Sequence, residues 1–248
     1  MKKILVAIVL FSSMCQAQDT AVSVKKKHHG FINYLKDTTR KRNFFFSLNA
    51  GLGIPVLDYG STDIYKSYVF YDTNRVVGMA VNGFHFNITA GALFIPQIGI
   101  VVKAGMDISS IDERIFSLAN PTWHYSGGYK MWQLTGGLIF RFKIAKRSHV
   151  FIQPMIGIIQ ANYPTYTINN DSLQLFKASF VSSVNTAFNI SGGFENELNP
   201  TISWYYTLGY TYSRIEYTSY SFTIPSGPMP LVMTFGSMQA TVGFIFHL

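Results

Sequence analysis

The chain of 248 residues carries few charges (13% Asp, Glu, Lys and Arg) and many aromatics (16%), with 21 Phe, 15 Tyr and 20 Gly. That composition speaks against a disordered chain and against a nucleic-acid-binding one, favours strands over helices, and at this length suits one all-β domain. The formal charge of +8 is concentrated near the N-terminus, so it does not argue for a basic partner-binding surface on the rest of the chain.

Met1-Lys2-Lys3, an apolar run from Ile4 to Phe11 and then Ser12-Ser13-Met14-Cys15-Gln16-Ala17 predict a secretory signal peptide over 1–17, cleaved after Ala17. The run is less than half of the ~20 residues that a spanning helix needs. Cys15 follows Met14, where a lipoprotein signal carries a small residue. With Ala17 as the last residue removed, no cysteine remains for a disulfide, a thiolate metal site or a thiol nucleophile. Residues 18–43 set seven basic side chains, among them Lys25-Lys26-Lys27 and Arg40-Lys41-Arg42, against Asp19 and Asp37. This segment reads as a solvated basic tail. His28 and His29 lie in it without carboxylate or cysteine partners, so no metal site is expected there.

From Phe44 onward, segments of about ten residues or more alternate apolar with polar or small side chains, the period of a strand with two different faces. The first sets Phe44, Phe46, Leu48, Ala50, Leu52 and Ile54 against Phe45, Ser47, Asn49, Gly51 and Gly53. Seven more segments keep the same parity, led by Phe84, Ile98, Trp132, Val150, Val184, Ile202 and Met238, with the large apolar side chains at even positions. Pro154 removes a ladder donor from the fifth strand, which predicts a bulge or locally weakened pairing.

The connections alternate between long (about 55–82, 109–128, 161–181 and 214–234) and short (96–97, 145–148, 198–200). This asymmetry predicts an eight-stranded antiparallel up-and-down transmembrane β-barrel over 44–248, with short periplasmic turns and long outer loops. A soluble barrel with an apolar interior is the competing arrangement. The lumen of eight strands is too small for the Phe, Trp and Tyr of the even face. Even residues are therefore expected to face lipid, the barrel must close, and aromatics such as Phe44, Phe94, Phe142 and Trp204 on one rim and Phe84, Trp132 and Tyr212 on the other suit interfacial girdles.

The last strand, Thr241-Val242-Gly243-Phe244-Ile245-Phe246-His247-Leu248, resembles the C-terminal assembly signal of outer-membrane barrels, with Leu248 where the usual residue is Phe. With the segments from Phe44 on, the chain resembles the small outer-membrane β-barrel families of OmpA and OmpX type. The passage Gly53-Ile54-Pro55 to Asp58-Tyr59-Gly60 is similar to versions common in the Bacteroidota. The resemblance implies outer-membrane lipid and lipopolysaccharide around the barrel, the outer-membrane assembly machinery as a partner reading Thr241, Gly243, Phe246 and Leu248, and no peptidoglycan-binding domain. No cofactor is implied.

Of the inward-facing charges, Lys103, Asp107, Arg141 and Glu195 are expected to form a polar network that fills a narrow lumen, with Asn49, His85, Asn87, Gln133, Gln153, Asn185 and Gln239 around it. A gated ion path lined by the same charges is the alternative. Trp123-His124-Tyr125-Ser126-Gly127-Gly128 resembles the His-x-Ser element of the lipid A deacylase family, itself an eight-stranded barrel, in which the His activates the Ser. His124 and Ser126 would then be catalytic, but Gly127 replaces the usual Asn, no Glu follows within a dozen residues, and the motif falls mid-chain. The favoured expectation is a non-enzymatic barrel with a structural, adhesive or envelope-associated role. The long Tyr-rich loops offer contact area for an extracellular ligand, and a general diffusion porin is not expected. A narrow channel, or a subunit of an envelope transport assembly, is the remaining alternative.

Overall fold

A computed structural model of the chain describes residues 44–62, 78–112, 128–162, 166–170, 173–182, 184–221 and 229–248, all within one compact unit, Arg40–Leu248. The expected signal peptide, the basic tail and the pair His124 and Ser126 lie outside the described residues. In chain order the elements are β1 (Phe44–Val56), the single helical turn α1 (Leu57–Gly60), β2 (Gly83–Ile95), β3 (Ile98–Ser110), β4 (Gly128–Ala145), β5 (Ser148–Asn162), β6 (Tyr166–Asn170), β7 (Leu173–Ser182), β8 (Val184–Glu197), β9 (Ile202–Ser221) and β10 (Met229–His247).

Strands β1 to β5 and β8 to β10 form the wall, each antiparallel to the next. β10 pairs back onto β1 from Phe45↔His247 to Val56↔Gly236 and closes the sheet. The expected eight-stranded antiparallel barrel is therefore the fold, with no sheet edge left along its wall.

The segments expected to be long loops contain more strand than their sequence suggests. β6 and β7 form a hairpin within 161–181, and β7 pairs with the far end of β9 at Ala178↔Ser221 to Ser182↔Tyr217. β9 and β10 remain paired out to Ser219↔Met229, well into the segment 214–234 expected to be a loop. The Thr and Tyr of 211–221 favour strand, so the loss of the lipid-facing pattern does not end it.

Opposed residues of antiparallel strands share a face, and here every wall ladder pairs even with even and odd with odd. The rule breaks only where the register shifts, between Leu93 and Ile95 and between Lys143 and Ala145, each one step before a tight turn. As a result odd side chains fill the barrel, while Phe44, Leu52, Phe94, Val102, Trp132, Leu134, Ile156, Phe188 and Val242 lie exposed outside. At Pro154 there is no bulge. The ladder with β8 runs through Pro154↔Ile190 in register, and the interruption falls on the β4 side, between Gly137↔Met155 and Phe140↔Ile152. A missing N–H removes one rung without displacing the strand.

The lumen holds more bulk than small polar side chains. Near the short turns, which define the turn end of the barrel, Phe45, Leu93, Val101, Ile139, Phe151, Met155, Tyr205 and Ile245 form one apolar cluster. Two glycines make room for it. Gly91, opposite Phe45, and Gly193, opposite Phe151, would each carry a Cβ into the ring of its partner. At the other end, the loop end, Met79, Tyr129, Met131, Ile215, Met233 and Phe235 are fully buried around Tyr59.

Candidate functional site in the barrel lumen

Tyr59 is the centre of a cap. α1 folds back over the loop end, placing the Tyr59 ring edge-on to Tyr129 (centroids 5.1 Å apart) and against Phe235 (4.8 Å). Burial pushes the Tyr59 phenol above its ordinary pKa, so it stays neutral. The returning segment is held by Gly78 N donating to Asp58 O (2.8 Å), Ala80 N to Tyr59 O (3.0 Å) and Tyr129 OH to Gly78 O (2.8 Å), while Thr234 N donates to Asp58 Oδ2 (3.1 Å). Among the described residues, the two with positive φ outside glycine, Leu57 (59°) and Met79 (50°), both belong to this cap. Such conformations cost about 1–3 kcal/mol each and persist only where the surroundings over-determine them; the hydrogen bonds and the buried rings supply that constraint.

Beneath the cap, His85 on β2 donates from Nδ1 to Asp107 Oδ1 on β3 (2.8 Å) and accepts at Nε2 from Asn87 Nδ2 (3.0 Å), so one neutral tautomer satisfies both bonds. Asn87 Oδ1 in turn accepts from Asn49 Nδ2 (2.5 Å). Deeper in, Lys103 Nζ donates to Asn189 Oδ1 (2.9 Å), and the Asn189 amide continues to Thr211 Oγ1 (2.6 Å), which also receives Gln239 Nε2 (3.0 Å) and bonds Gln133 Oε1 (3.3 Å). These bonds tie β3, β8, β9, β10 and β4 together through the barrel axis.

At the turn end, Arg141 on β4 grips Glu195 on β8 with two parallel bonds, Nε to Oε2 and Nη2 to Oε1, both 2.8 Å. This fork is the strong form of a carboxylate pair. His149 accepts from Arg141 Nη2 (3.1 Å), Glu197 lies 3.7 Å from the guanidinium, and His247 Nε2 sits 3.2 Å from Glu195 Oε1 and 2.9 Å from Ser203 Oγ.

All four charges expected to face inward do so, but they fall into three groups stacked along the axis, in place of one network: Asp107 with His85, Lys103 with Asn189, and Arg141 with Glu195. Asn185 stands apart from all three and accepts from Glu216 N (3.4 Å). Reasoning from sequence missed Asn189, His149, His247 and Tyr205 as partners. Their odd numbers on strands were the available signal. Between the upper groups and the Arg141–Glu195 pair lies a cavity of about 30 Å³, lined by Lys103, Gln153 and Ser47 among others. One water needs roughly 10–15 Å³, so the space suits an ion or a few waters and no larger solute. Among the described residues no cluster of His, Cys, Asp and Glu is arranged to hold a metal.

The residues of the terminal strand motif lie on the closing seam. Thr241 Oγ1 is 2.6 Å from Thr207 Oγ1, and a Cβ on Gly243 would run into Leu48 O. Phe246 stacks on Phe46 across the seam (6.3 Å), and Leu248 N donates to Phe44 O (3.0 Å).

Solved structures share this architecture. The crystal structure of Neisserial surface protein A matches with a TM-score of 0.50 at 11% identity, over 83% of this chain and 97% of that one. The outer membrane protein OprG from Pseudomonas aeruginosa matches with a TM-score of 0.53 at 10% identity, over 84% and 98%. The chain has the fold of small outer-membrane β-barrels. No protein-family model and no curated protein matches it.

Proposed function

We propose that the protein is an exported outer-membrane barrel of the small OmpA and OmpX type, with a structural, adhesive or other envelope-associated role. The observation that carries this reading is a closed wall with an apolar outer face over a filled lumen. Each of the eight wall strands has at least 13 residues, more than the 9–11 that a tilted strand needs to cross a bilayer. Phe44, Phe94 and Phe142 at the turn end and Phe84, Trp132 and Tyr212 at the loop end lie on the outer face, where aromatic girdles meet lipid head groups. The likeness to two proteins of bacterial surfaces supports the same location.

With the lumen capped by Tyr59 above and packed by Phe45, Phe151 and Tyr205 below, the protein is not a general diffusion pore, and specific activity resides at the loop end. Lipid and lipopolysaccharide surround the wall, and the assembly machinery reads the seam motif Thr241, Gly243, Phe246 and Leu248. The role is non-enzymatic. The test is expression in a Gram-negative host followed by membrane fractionation, heat-shifted gel mobility, planar-bilayer conductance and mass spectrometry of lipid A. Outer-membrane recovery, a mobility shift, no steady conductance and unchanged acyl chains are expected. Trimmed acyl chains, lost on His124→Ala or Ser126→Ala, would replace this reading with the deacylase one.

A further inference from the structure

We propose that a groove on the outer face at the turn end holds one anionic phospholipid of the periplasmic leaflet, with an acyl chain between β1 and β3 and its phosphate on the basic rim below. The orientation rests on the outer-membrane reading above. Register builds the groove. Phe44 faces Ala92 and Phe46 faces Ala90 on one side, and Ile100 and Val102 face the same two alanines on the other. The β2 methyl groups thus form a floor between two ridges, and Leu248, whose N–H bonds Phe44 O (3.0 Å), closes the groove beside the first ridge. The groove holds about 400 Å³, within the roughly 300–1,000 Å³ of ordinary ligand sites. Its apolar walls suit a hydrocarbon chain and exclude a polar solute.

Charge selects the head group. Between the wall strands at the loop end, residues 57–82, 111–127, 163–183 and 222–228 hold four basic and six acidic side chains. The turn end is different. Lys143, Lys146 and Arg147 lie exposed at the β4–β5 turn, which extends past the start of β3 because Ile98 pairs with Phe140. That places them one strand beyond the Ile100 ridge. On the other flank, Arg40, Lys41 and Arg42 precede Phe44 by two to four residues, so at most about 7–14 Å of chain separates them from the groove. Among the described residues at this end the acids are Glu195 and Glu197, both beside Arg141, and the Leu248 carboxylate. Basic residues next to a bilayer attract anionic head groups, and here they flank an apolar trench on both sides. A second copy of the chain in the same leaflet would bring two basic rims together, which opposes association.

The full chain is folded into vesicles of equimolar phosphatidylglycerol and phosphatidylethanolamine, released in mild detergent and weighed by native mass spectrometry, while heat-shifted gel mobility records the barrel in each sample. One retained phosphatidylglycerol per barrel is expected, in excess over phosphatidylethanolamine. Lys146→Gln combined with Arg147→Gln should lower that preference about fivefold per charge, roughly 30-fold together. Ala90→Leu combined with Ala92→Leu fills the groove with apolar groups suited to the lipid-facing wall, and should remove the retained lipid while the mobility shift stays. Equal retention of the two lipids, a preference unmoved by the charge substitutions, or retention unmoved by the alanine substitutions overturns the inference and leaves the barrel standing. So does a dimer mass that the alanine substitutions abolish. A chain without a mobility shift in any lipid would remove the barrel and the groove with it.

Discussion

Phe45 lies across Gly91, its cross-strand partner on β2, with its ring in the space that a β-carbon on residue 91 would occupy. Phe151 and Gly193 repeat the arrangement on the far wall. Covering a glycine with an aromatic from the neighbouring strand shields backbone that would otherwise face an empty lumen, and it pins the register of the pair. Gly91→Ala is expected to destabilise the barrel by roughly 1–3 kcal/mol, since both the Phe45 ring and Ile100 O stand in the way of the methyl group. Phe45→Ala should cost about 3–5 kcal/mol through the cavity it leaves. Equilibrium urea unfolding in vesicles measures both, and the double variant should cost less than the two single changes added together.

Arg141 and Glu195 join β4 to β8 across the turn end with little exposure to solvent. Removing one partner leaves the other as a buried, uncompensated charge. Arg141→Met is therefore expected to lower stability by about 3–5 kcal/mol, whereas Arg141→Met combined with Glu195→Met should recover most of that loss. If the pair also seals an ion path, the double variant would conduct in planar bilayers. No conductance is expected, because the Phe45 and Phe151 cluster remains.

The cap over the loop end depends on the Tyr129 hydroxyl, which donates to Gly78 O. Tyr129→Phe keeps the ring but strands a buried carbonyl, at a cost of about 1–3 kcal/mol. Its effect should be local. Amide hydrogen exchange at Gly78 and Ala80, whose N–H groups bond Asp58 O and Tyr59 O, is expected to speed up while exchange in β3 and β4 is unchanged.

Leu134 lies halfway along β4 on the outer face, opposite Ala104 and Ile158. Leu134→Arg is expected to cost roughly 2–4 kcal/mol in a bilayer. A charge at Val184, on the outer face at the loop end of β8, as in Val184→Arg, should cost only about 0–1 kcal/mol. Equal penalties at both positions in vesicle unfolding would mean that the bilayer is not centred on the wall.

Parity was legible in the sequence from the first strand to the last. Ile88, Val102, Leu134 and Val242 could be assigned to the outside from their even numbers alone, and the alternation of long and short connections gave strand number and direction. Local period suffices for this because a strand alternates its faces without reference to its neighbours. What lay inside was harder to read. Lys103, Asp107, Arg141 and Glu195 were recognisable as inward charges, yet which partner each would meet depended on the stagger of the strands.

That stagger is a property of closure, and only the tertiary structure decided it. It carried Lys103 across the axis to Asn189, which lies 86 residues away in the chain, and brought His247 beside Glu195, whereas His85 meets Asp107 through the register of the β2–β3 hairpin alone. The cap is of the same kind. Nothing in the pattern around Tyr59 marks it as a buried ring, since its burial depends on Tyr129 and Phe235, which reach the same end of the lumen only when β10 pairs with β1. The sequence by itself determined a two-faced wall of eight strands, because face and turn are local; the tertiary structure decided how that wall is filled and sealed, because filling joins residues that only a closed barrel brings together.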